Sequence, residues 1–219
     1  MKQFDIITIF PEILDSYFNE SLFKRGLNNK LVKVNTHNLR DHTKDKHRTV
    51  DGRIYGGGVG LLFKPDVMMR AIGGVKKKKN RRIILMSPTG KTFNQNKAKS
   101  LAKYDQLIFV CPRYEGIDAR VEKMVDEKIS IGDYILTGGE LGAAVVIDAV
   151  SRNIPKFVGK EESVREESFS QENYLEYPQY TRPEVIKYRG KELKVPKILL
   201  SGHHGKIEEW KEKNSKIKK

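Results

Sequence analysis

Residues 107–150 read LIFVCPRYEGIDARVEKMVDEKISIGDYILTGGELGAAVVIDAV, and the switches of pattern inside this stretch decide the fold. Residues 107–110 predict a strand, 118–125 a helix, 128–130 a short strand and 140–150 a second helix. The same alternation extends upstream. Residues 4–9 are rich in β-formers and lead into Pro11, after which Ile13, Leu14, Phe18 and Leu22 recur at helical spacing. Residues 82–86 then predict a strand and 94–102 a helix. Strands alternating with helices indicate an α/β fold built on a largely parallel sheet, because parallel strands need crossovers and helices supply them.

The chain has 219 residues, of which 38% are hydrophobic, enough for one medium domain with a small appendage. Its formal net charge of +14 favours polyanions, nucleic acid first, with a merely soluble or a membrane-surface basic protein as the plainer alternatives. The texture changes after Pro155. Residues 160–176 hold six acidic and two basic residues and read as a linker, whereas residues 182–219 hold twelve basic and five acidic residues around Trp210 and the pair Leu199-Leu200. The expected division is 1–159, a linker at 160–172 and a small, mainly helical, basic unit at 173–219. Cys111 is the single cysteine, which excludes a disulfide framework, and His37, His42, His47, His203 and His204 show no metal-ligand spacing. The longest apolar run, residues 141–150, is too short to span a bilayer and contains Asp148, and residues 1–10 lack a signal-peptide core. The expectation is a cytoplasmic protein without membrane contact.

Glycine concentrates in three places: residues 56–60, 87–92 and 131–141. None is a known dinucleotide or nucleotide loop. Gly90-Lys91-Thr92 would need glycine at position 85 to form a P-loop, and Leu85 stands there; a dinucleotide turn belongs after the first strand, where Ile9-Phe10-Pro11 stands. The loops 87–90, 112–116 and 131–139 each follow a strand, at the edge where open α/β sheets bind ligands. Singly each reads as a tight turn; jointly they can wrap a small molecule. Residues 76–82 hold six basic residues of seven, readable as a solvated loop or as an RNA contact.

Longer stretches carry a resemblance. Ile9-Phe10-Pro11-Glu12, His47-Arg48-Thr49-Val50-Asp51, Tyr55-Gly56-Gly57-Gly58, Arg113-Tyr114-Glu115-Gly116-Ile117-Asp118, residues 130–140, Val150-Ser151-Arg152, Tyr180-Thr181-Arg182-Pro183-Glu184 and Leu199-Leu200-Ser201-Gly202, in that order, resemble the bacterial tRNA (guanine-N1)-methyltransferases of the SPOUT superfamily, which modify guanosine 37. The similarity runs from Phe4 to about Trp210. It implies a deep trefoil knot, S-adenosylmethionine held in the knot, a homodimer whose protomers share the active site, and a C-terminal unit that grips tRNA. No spacing or composition would have proposed the knot.

Transfer of a methyl to guanine N1 requires removal of that nitrogen's proton and stabilisation of charge developing at O6. The resemblance assigns the arginine to Arg152 and the carboxylate base to Glu167, where the family commonly has aspartate. Glu166 is the alternative, one position away. Read without the family, Glu166 and Glu167 belong to an acidic solvated segment and Arg152 is a cation favoured at a helix C-terminus. The resemblance places the cofactor against Leu85, Met86, Ser87, Pro88, Gly90, Pro112, Ile131, Gly132, Asp133, Tyr134, Ile135, Leu136, Gly138 and Gly139. It places substrate against Asp51, Gly56, Gly58, Gly60, Tyr114 and Glu115, with Tyr114 beside Arg113 offering stacking and phosphate contact.

Pro112 stands where the family often has glycine, removing one backbone donor. The Lys-rich end soon after Trp210 is shorter than in many relatives, which would lean tRNA binding toward charge. The family is also associated with magnesium, for which this sequence offers no ligand cluster of its own. The expected function is methylation of guanosine 37 in tRNAs with guanosine at position 36, protecting the reading frame. Two alternatives stand beside it: a SPOUT ribose 2′-O-methyltransferase, and a non-catalytic RNA-binding protein that kept the fold.

Overall fold

Five parallel strands form the central sheet, in the order β2-β1-β6-β5-β7. In this computed structural model residues 1–159, 167–169 and 174–217 are described. The first of two units, Met1–Gly159, contains β1 (Lys2–Thr8), α1 (Asp15–Phe18), α2 (Ser21–Asn28), β2 (Val32–Asn38), β3 (Asp51–Arg53), β4 (Leu61–Phe63), α3 (Pro65–Gly74), β5 (Arg81–Thr92), α4 (Gln95–Ala102), β6 (Gln106–Val110), β7 (Glu127–Ser130) and α5 (Gly139–Ser151). β3 and β4 form a separate antiparallel hairpin.

Both faces of the sheet are covered, as a parallel sheet requires. Phe4, Ile6, Ile84, Leu107 and Phe109 point to one side, where they pack with Phe23 of α2, Leu101 of α4 and Val146 and Ile147 of α5. The alternate residues Ile7, Ile83, Leu85, Ile108 and Val110 meet Val67, Met68, Ala71 and Ile72 of α3 on the other. Pro65 opens α3, where its missing N–H leaves no bond unmade.

The expected single helix over 13–22 is instead two short ones. Phe18 and Phe23 are both buried and meet edge-on at 5.1 Å. Five residues apart on one continuous helix they would point about 140° apart, so the break after α1 is what lets both reach the core. The expected helix over 118–125 is a 3-10 turn, Ala119–Met124, started by Asp118 accepting the Arg120 N–H at 2.9 Å.

β5 departs from regular pairing at one point. Met86 and Lys91 both oppose Ile129 of β7, so residues 87–90 are extruded between them. At Gly90 an added Cβ would lie 2.5 Å from the Ile129 nitrogen and 2.6 Å from the Lys128 carbonyl carbon. Two backbones touch there, and only glycine fits.

Asp5, the one acid in the first strand, is buried and pinned by four donors: Gln3 at 2.8 Å, Asn35 at 2.9 Å, His37 at 2.8 Å and Gln106 at 2.7 Å. Burial pushes its carboxyl up, but the bonds from His37, Gln106, Asn35 and Gln3 outweigh this and hold it below the usual carboxylate range.

The second unit, Lys160–Lys219, contains β8 (Tyr174–Leu175), β9 (Val185–Tyr188), β10 (Lys191–Lys194), α6 (His204–Asn214) and β11 (Lys216–Ile217). Most of the expected linker, 160–166 and 170–172, lies outside the described residues, and so does Glu166. Beside its one α-helix and a 3-10 turn at Lys197–Leu200, the described part also holds the hairpin β9–β10 and the ladder β8–β11, strands that the expectation of a mainly helical unit did not include. Arg189-Gly190 makes the hairpin, with φ of 50° and 74° in the left-handed region that a two-residue turn uses. Trp210 anchors the unit between Tyr177 and Tyr180, each with its ring 6.3 Å away.

Candidate active site

The segment extruded from β5 and the loops leaving the carboxyl ends of β6 and β7 enclose a cavity of about 410 Å³. Of the residues expected to hold the cofactor, Leu85, Met86, Ser87, Pro88, Pro112, Ile131, Gly132, Tyr134, Ile135, Leu136, Gly138 and Gly139 line it. Gly90 and Asp133 are outside the lining; Gly90 is occupied with its contact to β7. Thr89, Arg113, Ser130, Thr137 and Gly142 line it without having been singled out as cofactor contacts, although each lies in or beside one of the same loops.

The loops are locked to one another. Gly139 donates to the Pro112 carbonyl at 2.9 Å. A Cβ on Gly139 would come within 2.8 Å of the Cys111 Cα, so the start of α5 sits directly on the end of β6. Arg113 reaches beneath and pairs through Nε with Glu140 at 3.1 and 3.2 Å. Thr8 donates to the same carboxylate at 2.6 Å, and the Arg113 guanidinium lies 4.7 Å from the Phe10 ring centroid. Cys111 is no nucleophile: burial, then the nearby Glu140 charge, push its thiol well up.

Of the residues expected to meet the substrate, Tyr114 and Glu115 line the cavity, and Asp51, Gly56, Gly58 and Gly60 do not. Tyr114, with φ of 56°, is held edge-on to Phe63 at 5.5 Å. Glu115 donates its N–H to the Leu61 carbonyl at 3.1 Å, which ties the β6 loop to the β3–β4 hairpin. The hairpin's glycine loop touches it as well, since a Cβ on Gly60 would meet the Glu115 Cγ at 2.4 Å. Gly56 and Gly58 lie in that loop with positive φ, and Asp51 is paired with Phe63 in the ladder, away from the lining. Tyr55 and Val59, both 95% exposed, lie among the glycines of that loop, where neither had been given a role of its own.

Arg152 and Glu167 are placed differently from these. Arg152 caps α5 with its N–H on the Asp148 carbonyl at 3.1 Å. The cavity lies at the opposite end of α5, thirteen residues and about 20 Å away along the axis. Glu167 belongs to the second unit.

The cavity offers a partly apolar, mostly uncharged lining, with Arg113, Glu115 and Glu122 as its charged members. Leu85, Ile129, Ile135 and Leu136 offer apolar surface, while loop backbone and the hydroxyls of Ser87, Thr89 and Thr137 offer neutral polar groups. A bound S-adenosylmethionine is compatible with this set. Among the described residues no group of three or more His, Cys, Asp or Glu is arranged to hold a metal ion, so no ligand set for magnesium is assigned. Nor, among them, is any helix long and apolar enough to cross a membrane.

Comparison with known proteins adds to the geometry. The sequence profile of the family described as tRNA (guanine-1)-methyltransferase TrmD matches residues 1–219. The tRNA (guanine-N(1)-)-methyltransferase of Dictyoglomus turgidum is 48% identical over 215 residues, 98% of this chain and 85% of that protein. Proteins of the same name from Clostridium botulinum and Clostridium perfringens are 46% and 47% identical, over 97% and 96% of this chain and 86% and 87% of their own lengths.

Proposed function

The chain belongs to the tRNA (guanine-1)-methyltransferase family, and from that premise we propose that it methylates N1 of guanosine 37 in tRNAs with guanosine at position 36, using S-adenosylmethionine and thereby protecting the reading frame. The observation that carries the reading is the cavity at the sheet's carboxyl edge, closed by the segment extruded from β5 and the loops after β6 and β7. When bound, S-adenosylmethionine supplies an electrophilic methyl group. Backbone groups of residues 131–136 would hold its adenine edge, Leu85 and Leu136 would offer it apolar surface, and Gly138 and Gly139 would allow close approach.

Tyr114 and Glu115 border the cavity on the side of the glycine loop and orient the guanine, with Tyr114 as a stacking face. Glu167 removes the N1 proton, and the Arg152 guanidinium stabilises charge at O6. Because Arg152 and the cavity lie at opposite ends of α5, a single protomer does not bring them together. This supports a homodimer in which one protomer's Arg152 serves the partner's cavity. Leu141 and Val145 on α5 and Ile13 and Tyr17 beside it are exposed apolar residues suited to that interface. The extruded residues 87–90 and the loop 131–139 are where the implied knot would close. The basic second unit holds the tRNA, and the setting is cytoplasmic.

The test incubates the protein with labelled S-adenosylmethionine and an unmodified tRNA transcript carrying guanosines 36 and 37, beside a transcript altered at position 37. Label recovered as 1-methylguanosine from the first alone is the expected result. Label on a ribose, or none despite tRNA binding, overturns the reading.

A further inference from the structure

The basic run at residues 76–82 lies at the sheet's other edge. It leads into β5, whose first residue, Arg81, is four strand positions before Leu85, so about 13 Å separates Arg81 from the nearest cavity wall. Part of it is a built anchor. Gln106 accepts the Lys78 N–H at 2.7 Å and donates to the Lys76 carbonyl at 3.0 Å, while the Asn80 side chain donates to the Lys103 carbonyl at 2.9 Å. Lys78 reaches the Met1 carbonyl, and Arg82 is taken up by Glu127 at 3.0 Å and the Tyr104 ring. Gln106 also binds Asp5, so the loop is clamped to the core of the sheet.

What the clamp leaves outward is charge. Lys76, Lys77, Lys79 and Arg81 are exposed and form no ion pair among the described residues. Lys103 and Lys33 are exposed along the same edge, which spans three strand spacings, about 14 Å, from β2 to β5. The nearby carboxylates compensate little: Asp126 accepts the Ile83 N–H, Glu127 holds Arg82 and Lys97, and Asp105 acts on the Lys2 ammonium. Residues 76–82 contain no aromatic side chain on which unpaired bases would stack. Fixed cations without a stacking platform match the regular phosphates of a duplex.

We propose that this edge is a second RNA site, one that binds a double-helical RNA stem through its phosphates, independently of the tRNA that enters the cleft.

The probe is an RNA duplex of about 16 base pairs with no substrate guanosine. In the variant Lys76→Gln, Lys77→Gln, Lys79→Gln, Arg81→Gln, duplex affinity should fall at least about tenfold and the slope of log affinity against log salt should shrink by about 2 to 3. The clamping residues are untouched, and S-adenosylmethionine affinity by calorimetry reports that the first unit is folded. Methyl transfer to tRNA should keep its kcat/KM in this variant, and duplex at saturating concentration should leave wild-type turnover unchanged. Unaltered duplex affinity in the variant overturns the proposal. So do competition between duplex and tRNA, a parallel loss of kcat/KM, or variant-sensitive binding to vesicles of anionic lipid with none to the duplex.

Discussion

Arg113 and Glu140 meet at 3.1 Å beneath the cleft, with Glu140 only 1% exposed and Arg113 17%. Gly138 lies against this pair, where a Cβ would fall 2.4 Å from the Arg113 Nε. The ion pair is therefore the seat of the loop that forms one cavity wall. Removing one member of a buried pair leaves the other charge unmatched and costs more than the pair contributes. Glu140→Ala is expected to destabilise the first unit by about 2 to 4 kcal/mol in urea unfolding, and to weaken S-adenosylmethionine binding as the wall shifts. Replacing both members with apolar residues should recover part of the stability but not the affinity. A Glu140→Ala protein with wild-type unfolding and binding would remove the pair from this role.

Gly90 and Gly73 make a controlled comparison. Gly73 sits in α3 with nothing within 4 Å of an added Cβ, whereas at Gly90 the β7 backbone is in the way. Gly73→Ala should be neutral or stabilise by up to about 1 kcal/mol. Gly90→Ala should destabilise by roughly 2 kcal/mol or more, because β5 or β7 must move. Denaturant midpoints check both; equal effects would show that the crossing is not close-packed.

The acid limb of stability should report Asp5. Its carboxyl is held below the ordinary range, so its contribution is fully present above the unfolded value near 4 and is lost as pH falls through the lower folded value. Asp5→Asn turns an amide toward groups that donate, and should cost roughly 2 kcal/mol or more at neutral pH while flattening the acid limb below about pH 4. Urea unfolding of both proteins from pH 2 to 7 checks this. An unchanged acid slope would assign that pH dependence to other carboxylates.

The parallel sheet was legible because the strands around residues 4–9, 82–86 and 107–110 are apolar and the helices between them carry a 3.6 period. β2 escaped for the opposite reason: Asn35 and His37 are polar because they face Asp5, so this edge strand carries no clean alternation. The hairpin around Arg189-Gly190 was hidden by the exposure of all of β9 and β10, which leaves no buried face to set a period. The cavity loops were marked by glycine, but at Gly90 the residue serves a backbone crossing, a long-range fact that no local pattern carries. Arg152 and Glu167 stand in no motif whose spacing implies chemistry, and only the resemblance singles them out.

The geometry of α5 allows one decisive test of site sharing. Arg152 ends the helix whose other end walls the cavity, so two defects can be put on separate chains. Arg152→Ala should abolish turnover while leaving S-adenosylmethionine affinity intact; Gly139→Val, which drives side-chain atoms into the Cys111 backbone, should abolish cofactor binding while leaving Arg152 in place. In a two-fold dimer with shared sites, a mixed dimer puts both defects in one site and leaves the other whole. Equal mixing after exchange of protomers should then restore about a quarter of wild-type activity, since half the dimers are mixed and each has one intact site of two. Were each protomer self-sufficient, every chain would carry one defect and the mixture would stay dead. The Arg152→Ala protein tested with Glu167→Gln in the same way then assigns the base: restored activity places the two residues on different protomers' contributions to one site, and its absence places them on the same one.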